Sequence, residues 1–387
     1  MWDTLFNQVE DHFNELVAVR RHLHQHPELS FKEFQTTAYI ADYYRQLQIP
    51  YQEKVGGNGV VARLVGNYPG KTIALRADFD ALPIHDQKEV PYKSLVPGVM
   101  HACGHDGHTA ILLITAKLLK EIQHQLKGTI VFIHQHAEEL TPGGAKSMIA
   151  GGALDDVDLV FGTHLWSSAP IGVIQTAPDR FMAGADKFTI TIQGQGGHGA
   201  MPHETKDAIV IGSQLVTNLQ QIISRRLDPL NTAVLTIGKF QAGDSFNIIA
   251  DQAVLDGTVR TFDPKLQDQI IDEMDTIIKG TCAAYGASYQ FDYLKGYPPV
   301  INHRQEAQRI LEVSKQINEV EQASFVQPSM TAEDFAYYLI EKPGAFFFTG
   351  AQIAGNFQPH HHPKFDFDER AMPIAVKVFL KLIQSYQ

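Results

Sequence analysis

From Val60 to Phe161 the chain alternates short runs that are largely apolar with longer stretches in which apolar residues recur at helical spacing. The runs Val60–Leu64, Lys71–Arg76, Thr129–Ile133 and Asp158–Phe161 predict strands, and several are apolar throughout, as strands covered on both faces are. Between and before them, helices are predicted over Asp11–Gln25, Gln35–Gln46 and His108–Gln125. Asp106 and Thr109, residue types suited to a helix N-terminus, open the last of these. Strands alternating with helices predict a sheet layered between helices, an α/β/α arrangement.

The pattern changes near Lys187. Lys187–Gln193 alternates polar and apolar residues, as a strand with one wet face does. A helix (Asp207–Arg225), two strands (Thr232–Phe240, Gln252–Thr261), a helix (Pro264–Ala284) and a strand (Ser288–Leu294) follow. That βαββαβ order predicts a ferredoxin-like unit over 186–294. After Gly296-Tyr-Pro-Pro299 the first pattern returns, with Gln305–Asn318 and Ala332–Leu339 helical and Gly344–Phe348 extended. The ferredoxin-like unit therefore reads as an insertion into a discontinuous larger domain, 1–185 with 295–387. No internal repeat, coiled coil or low-complexity tract interrupts this scheme.

With 387 residues the chain exceeds one ordinary compact unit, which fits two domains. A formal net charge of −11 gives no basic stripe for a phosphate backbone, so nucleic acid is not an expected partner. The first ten residues mix acids with apolar groups instead of forming an export signal, and the run Ala110–Ile114 is far too short to span a bilayer. Cys103 and Cys282 are the two cysteines, too few for a disulfide framework and suited to a reducing compartment. A soluble cytoplasmic protein without membrane partners is expected.

Candidate chemistry concentrates in His101-Ala-Cys-Gly-His-Asp-Gly-His108, which packs three imidazoles, a thiol and a carboxylate into eight residues. Glu138 and Glu139 follow one apolar run and His164 another, where open α/β sheets place their working residues. A hydrolytic metal centre needs ligands from distant parts of the chain and a base for the water it activates. Cys103, His105, Glu139, His164 and His361, the last in Gln358-Pro-His-His-His-Pro, form such a set. The adjacent carboxylates allow one to bind metal and the other to act as base. Five ligands of mixed type suggest two divalent ions. Thiolate and imidazole suit zinc, while carboxylate-rich pairs also take manganese, cobalt or nickel.

The motifs RADFDALP (76–83), HACGHDGH, AEE (137–139), GTHLW (162–166), GGHGAMPH (196–203) and HHPKFDFDE (361–369) resemble those of the dinuclear aminoacylase and carboxypeptidase family of metallopeptidases. The branch most similar is that of hippurate hydrolases, indoleacetyl-amino-acid hydrolases and N-acetyl-diaminopimelate deacetylases, and the similarity runs from about Arg20 to Glu369. The resemblance implies metal binding by Cys103, His105, Glu139, His164 and His361, with Glu138 as catalytic base. It implies that the ferredoxin-like insert is a lid and dimerisation domain, and hence a homodimer. It also implies that His198 reaches over from a lid, in related enzymes that of the partner subunit, to steady an oxyanion, while Asn247 and Arg260 hold the substrate's carboxylate. The implied activity is metal-dependent hydrolysis of the amide bond of an N-acetyl or aromatic N-acyl amino acid. A dipeptidase or carboxypeptidase with the same machinery is the near alternative, and a metal-binding protein without turnover the distant one. Two positions depart from the family: Asp78 stands where most members have a ligand histidine, leaving Asp78 and Asp80 as orienters, and His136 stands where close relatives have proline.

Each motif also has a purely structural reading. His22, His24 and His26 are spaced by two and share no helical face, so they are expected to cap a helix ended by Pro27 or to face solvent. His360–His362 taken alone is equally a solvated loop, and the proline two positions beyond His361 selects that residue by alignment. Alone, Gly196-Gly-His-Gly199 is a turn, Arg260 a surface ion-pair partner and Asn247 a turn residue.

Overall fold

Four apolar runs become the parallel centre of an eight-stranded mixed sheet in the computed structural model, which describes residues 2–387. Lys127–Gln135, Tyr68–Asp78, Leu159–Pro170 and Gly344–Gln352 lie side by side in that order, all parallel. Gly59–Val65 and Tyr51–Val55 extend one edge antiparallel; Val173–Thr176, antiparallel to its neighbour, and Gln322–Phe325 extend the other. The central strands are buried on both faces because helices cover each. His105–Glu121 is apolar around most of its circumference, and packs between Phe13–Gln25, Ala371–Gln384 and the sheet.

Chain order along the four central strands places the first, Tyr68–Asp78, between the second and the third. The chain leaves Tyr68–Asp78 towards Lys127–Gln135 on one side and leaves Leu159–Pro170 towards Val173–Thr176 on the other, the reversal of strand order at whose carboxyl ends open α/β sheets place their ligands. His105–Glu121 begins there.

The chain divides into two units. The first runs to Phe181 and resumes over Ile301–Pro328 and Asp334–Gln387; the second comprises Met182–Val300 and Ser329–Glu333. In the second, strands Ala233–Ala242, Gln252–Thr261, Gly184–Gln193 and Ser288–Tyr297 form an antiparallel sheet in that order, the ferredoxin-like arrangement. Phe188, Ile190, Ile192 and Leu255 meet Ile211, Leu215, Ile270 and Met274 of the helices Ala208–Gln221 and Pro264–Ala284 in one core. Asp207 caps the first helix through Ile209 N–H and Val210 N–H, and Asp263 the second through Lys265 N–H, with Pro264 at its first position.

Two expectations need correction. The helix read as Ala332–Leu339 starts only at Ala336, because Ala332 and Glu333 belong to the second unit and Asp334 turns its carboxylate to Arg76, Gln135 and the Ala145 N–H. The helix read from His108 already begins at His105, after Gly104 at φ 99°, and Asp106 pairs with Arg20 and His24 without capping it. Among the described residues no helix is long and apolar enough to cross a membrane.

Candidate metal centre

The carboxyl ends of the three neighbouring strands deliver most of the site. Tyr68–Asp78 leads to Asp78 and Asp80, Lys127–Gln135 leads to Glu138 and Glu139, and His164 lies within Leu159–Pro170. Cys103 and His105 flank Gly104, whose left-handed backbone, unfavourable for any residue with a Cβ, turns the chain into the helix. Three groups of ligand atoms each lie within 4.8 Å of one another: Cys103, His105 and His164; Cys103, Glu139 and His361; and His105, Glu138 and Glu139. All five sequence-predicted ligands thus converge, and Glu138 sits among them.

Hydrogen bonds decide which imidazole nitrogen faces inward. His164 Nδ1 donates to the Leu165 carbonyl at 2.8 Å, leaving Nε2 as a lone pair 3.3 Å from Cys103 Sγ. His105 Nδ1 is held by the backbone carbonyl and Oδ1 of Asp80, both at 3.1 Å, which directs its Nε2 towards Glu139 Oε1 at 3.8 Å. His108 is fully engaged: Nδ1 donates to Asp78 Oδ1 at 2.6 Å and Nε2 accepts from the Leu165 N–H at 2.9 Å. Asp78, also tied to Arg76 Nη1 at 2.6 Å, therefore orients its neighbours. Of the three consecutive histidines, His361 reaches Glu139 Oε1 at 3.3 Å, and His362 turns its Nδ1 to the Lys364 N–H. His360 Nε2 accepts from the Ser167 N–H at 3.2 Å, leaving its Nδ1–H 3.9 Å from Cys103 Sγ.

The electrostatics are unbalanced in the way a cation would correct. His105 Nε2 is buried without a hydrogen-bond partner, at a cost of roughly 1–3 kcal/mol, and Glu139 Oε1 has His361 Nε2 at 3.3 Å. Burial disfavours the charged form of His105, yet Asp78, Asp80 and Glu139 outweigh it and push its pKa up to about 10. Burial, then Glu139, Glu138 and Asp78, push the Cys103 thiol well above its usual range. A divalent ion reverses both effects, since it favours neutral imidazole and thiolate. The donor set, imidazole, thiol and carboxylate, fits such an ion.

His198, Asn247 and Arg260 lie in the second unit. His198 pairs with Ile248 in a short ribbon, and Gly199 N–H donates to the Asn247 carbonyl at 2.9 Å, so the first two are neighbours. His198 is exposed, with Nδ1 accepting from the Ala200 N–H; Arg260 lies on the strand Gln252–Thr261.

Sequence reasoning missed a buried charged layer behind the metal ligands. Arg20, 0% exposed, donates to Asp106 at 2.9 Å, Asp366 at 2.6 Å and Glu369 at 3.0 Å. His24, expected to cap or face solvent, is equally buried and bridges Asp106 at 2.7 Å and Lys88 Nζ at 2.8 Å. Its apolar helical neighbours Leu16, Val19 and Leu23 carried the only local signal. His136 is buried with Nδ1 unpartnered, its ring edge-on to Phe31.

The model of peptidase family M20/M25/M40 matches residues 74–385. The chain is 54% identical over 381 residues to YhaA of Bacillus subtilis (strain 168), an amidohydrolase by name, covering 98% of this chain and 96% of that one. It is 48% identical over 295 residues to an N-acyl-L-amino acid amidohydrolase of Geobacillus stearothermophilus, covering 76% and 80%. The crystal structure of the Bacillus subtilis YXEP protein, described as a dinuclear metal binding peptidase from the M20 family, superposes with a TM-score of 0.84 at 35% identity, covering 97% and 99%. The chain belongs to peptidase family M20/M25/M40 and is a hydrolase of amide bonds.

Proposed function

We propose that this protein is a metal-dependent amidohydrolase that removes the acyl group from an N-acetyl or aromatic N-acyl amino acid. The observation that carries the reading is the convergence of Cys103, His105, Glu139, His164 and His361, with the buried His105 Nε2 left without a hydrogen-bond partner, next to a second carboxylate, Glu138. Those five residues would hold two divalent ions, zinc or manganese first and cobalt or nickel next. When bound, the ions polarise the scissile carbonyl and acidify water. Glu138 takes the proton of the attacking water and passes it to the leaving nitrogen, so the amine departs without developing an unstable anion. Asp80 keeps the His105 ring in register and His164 stays neutral through burial. His198 as oxyanion donor and Asn247 and Arg260 as carboxylate holders rest on the motif resemblance, as does a homodimer formed through the ferredoxin-like unit; a cytoplasmic location rests on the sparse cysteines, which suit a reducing compartment. The Geobacillus relative's name supports an N-acyl amino acid substrate.

Replacing Glu138 with Ala is expected to leave bound metal unchanged, measured by elemental analysis, and to lower kcat on the order of 10²–10⁴-fold. The readout is ninhydrin detection of amine released from N-acetyl and N-benzoyl amino acids and dipeptides. Wild-type protein refilled with zinc or manganese that releases no amine from any of them sinks the proposal. Faster turnover of dipeptides than of N-acyl amino acids would replace it with a dipeptidase.

A further inference from the structure

Ala137 forms the elbow that presents the two carboxylates, Glu138 and Glu139. Past the end of the strand Lys127–Gln135, Ala137 adopts φ 52°, the left-handed region, which costs a residue with a Cβ roughly 1–2 kcal/mol. Glycine would take this shape freely. Something must therefore hold Ala137, and two hydrogen bonds do: its carbonyl accepts from the Gly144 N–H at 3.1 Å, and its N–H donates to Glu33 Oε1 at 2.9 Å.

Glu33 is a strange residue to find there. It stands at the N-cap of the helix Phe34–Gln46, where an acid ordinarily accepts from the helix's first N–H groups, yet its side chain makes no capping bond. Glu28 does that work, accepting from the Gln35 N–H at 3.1 Å and the Thr36 N–H at 2.8 Å. Glu33, 0% exposed, turns inward instead. The Oε1 that binds Ala137 also accepts from the N–H of Phe31 at 3.0 Å, itself at φ 66°, and Oε2 accepts from Asn58 Nδ2 at 2.8 Å. Among the described residues no basic side chain forms an ion pair with it, so a buried acid is kept here by neutral donors alone, a costly arrangement for stability. The same loop grips the far side of the elbow, where Ser30 Oγ donates to Asp80 Oδ2 at 2.7 Å and that oxygen accepts the Glu139 N–H at 2.9 Å.

We propose that Glu33 is the positioning residue for Glu138: by binding the Ala137 N–H it locks the left-handed turn that aims the Glu138 carboxylate. The inference rests on the reading of Glu138 as base. Glu33 touches no reacting atom, so its loss should lower kcat and leave substrate binding largely intact.

The test uses Glu33→Ala, Glu33→Gln and Glu33→Asp in the full-length, metal-loaded protein, each crystallised and assayed. In Glu33→Ala, Ala137 is expected to leave the left-handed region and Glu138 to shift, with kcat falling on the order of 10²-fold, KM within about twofold and metal content unchanged. Glu33→Gln keeps a carbonyl oxygen for both N–H groups and should retain most of kcat. Adding Ala137→Gly to Glu33→Ala should recover part of it, because glycine enters the turn unaided. If Glu33→Ala fails to fold, Glu33→Asp, one methylene short of the Ala137 N–H, is read in its place. An unmoved Ala137 and Glu138 in the variant crystals, or a Glu33→Gln as impaired as Glu33→Ala, overturns the proposal. Wild-type protein inactive on every substrate defeats the reading of Glu138, and the crystals still decide whether Glu33 sets the turn.

Discussion

His134 and His24 show how burial gives the same side chain opposite duties. Lysine offers only donors, so His24 Nε2 must accept from Lys88, which leaves its Nδ1–H for Asp106. His134 is buried between the Tyr44 hydroxyl at 2.8 Å and Thr109, with no carboxylate among the described residues bonded to it, and burial pulls its pKa down to about 3. The unfolded chain binds that proton near pH 6.5 and the folded chain does not until about 3. Between those values the unfolded state holds more protons, so the stability present above 6.5 is lost as pH falls through the window. The loss approaches about 1.4 kcal/mol per pH unit. Replacing His134 with Gln should flatten the decline in urea-unfolding free energy between pH 7 and 5.5; parallel declines in variant and wild type would refute this.

Helix and strand meet without slack where His105–Glu121 starts. A Cβ on Gly107 would lie 2.6 Å from both Leu165 Cδ1 and Phe367 Cζ, inside any ordinary contact distance. Leu165 belongs to the strand carrying His164, and Phe367 to the segment carrying His361. Gly107→Ala therefore forces those elements apart and is expected to cost about 1–3 kcal/mol in urea unfolding. It should also weaken zinc binding, measured by competition with a chromophoric chelator. Unchanged stability and affinity would show that the strand gives way freely. The central strands and the long helices were legible beforehand because their apolar periodicity is local, as in Thr129–Ile133 and Pro264–Ala284, whereas the short outer strands Tyr51–Val55, Val173–Thr176 and Gln322–Phe325 and the helix Trp2–Asp11 were not. The start of the helix near Ala336 was not, because Asp334 is claimed by Arg76 and Gln135, far away in sequence.

Across the first unit, Asp78, Asp80, Glu138 and Glu139 crowd around imidazoles and a thiol. Cations that bind only the folded state add about 2.7 kcal/mol at a concentration 100 times Kd. Exhaustive chelation is thus expected to lower the thermal midpoint and abolish amide hydrolysis together, with zinc or manganese restoring both. A midpoint indifferent to chelator would mean that the cluster holds no ion that matters to the fold.

Local order along the chain was enough for the alternation of strand and helix, the βαββαβ insert and the residue types of a hydrolytic metal site, since periodicity, caps and ligand chemistry are written in neighbouring positions. Geometry needed the folded sheet. The reversal of strand order between Tyr68–Asp78 and Leu159–Pro170 helps bring Cys103, Glu139, His164 and His361 together. Which nitrogen of His105 or His164 points inward follows from partners such as Asp80 and Leu165, placed by strands. The buried pairing of Arg20 with Asp106, Asp366 and Glu369, and the grip of Glu33 on Ala137, join positions that no short window of sequence contains. A charge is tolerated in a core only where its partner arrives, and that meeting is an outcome of packing.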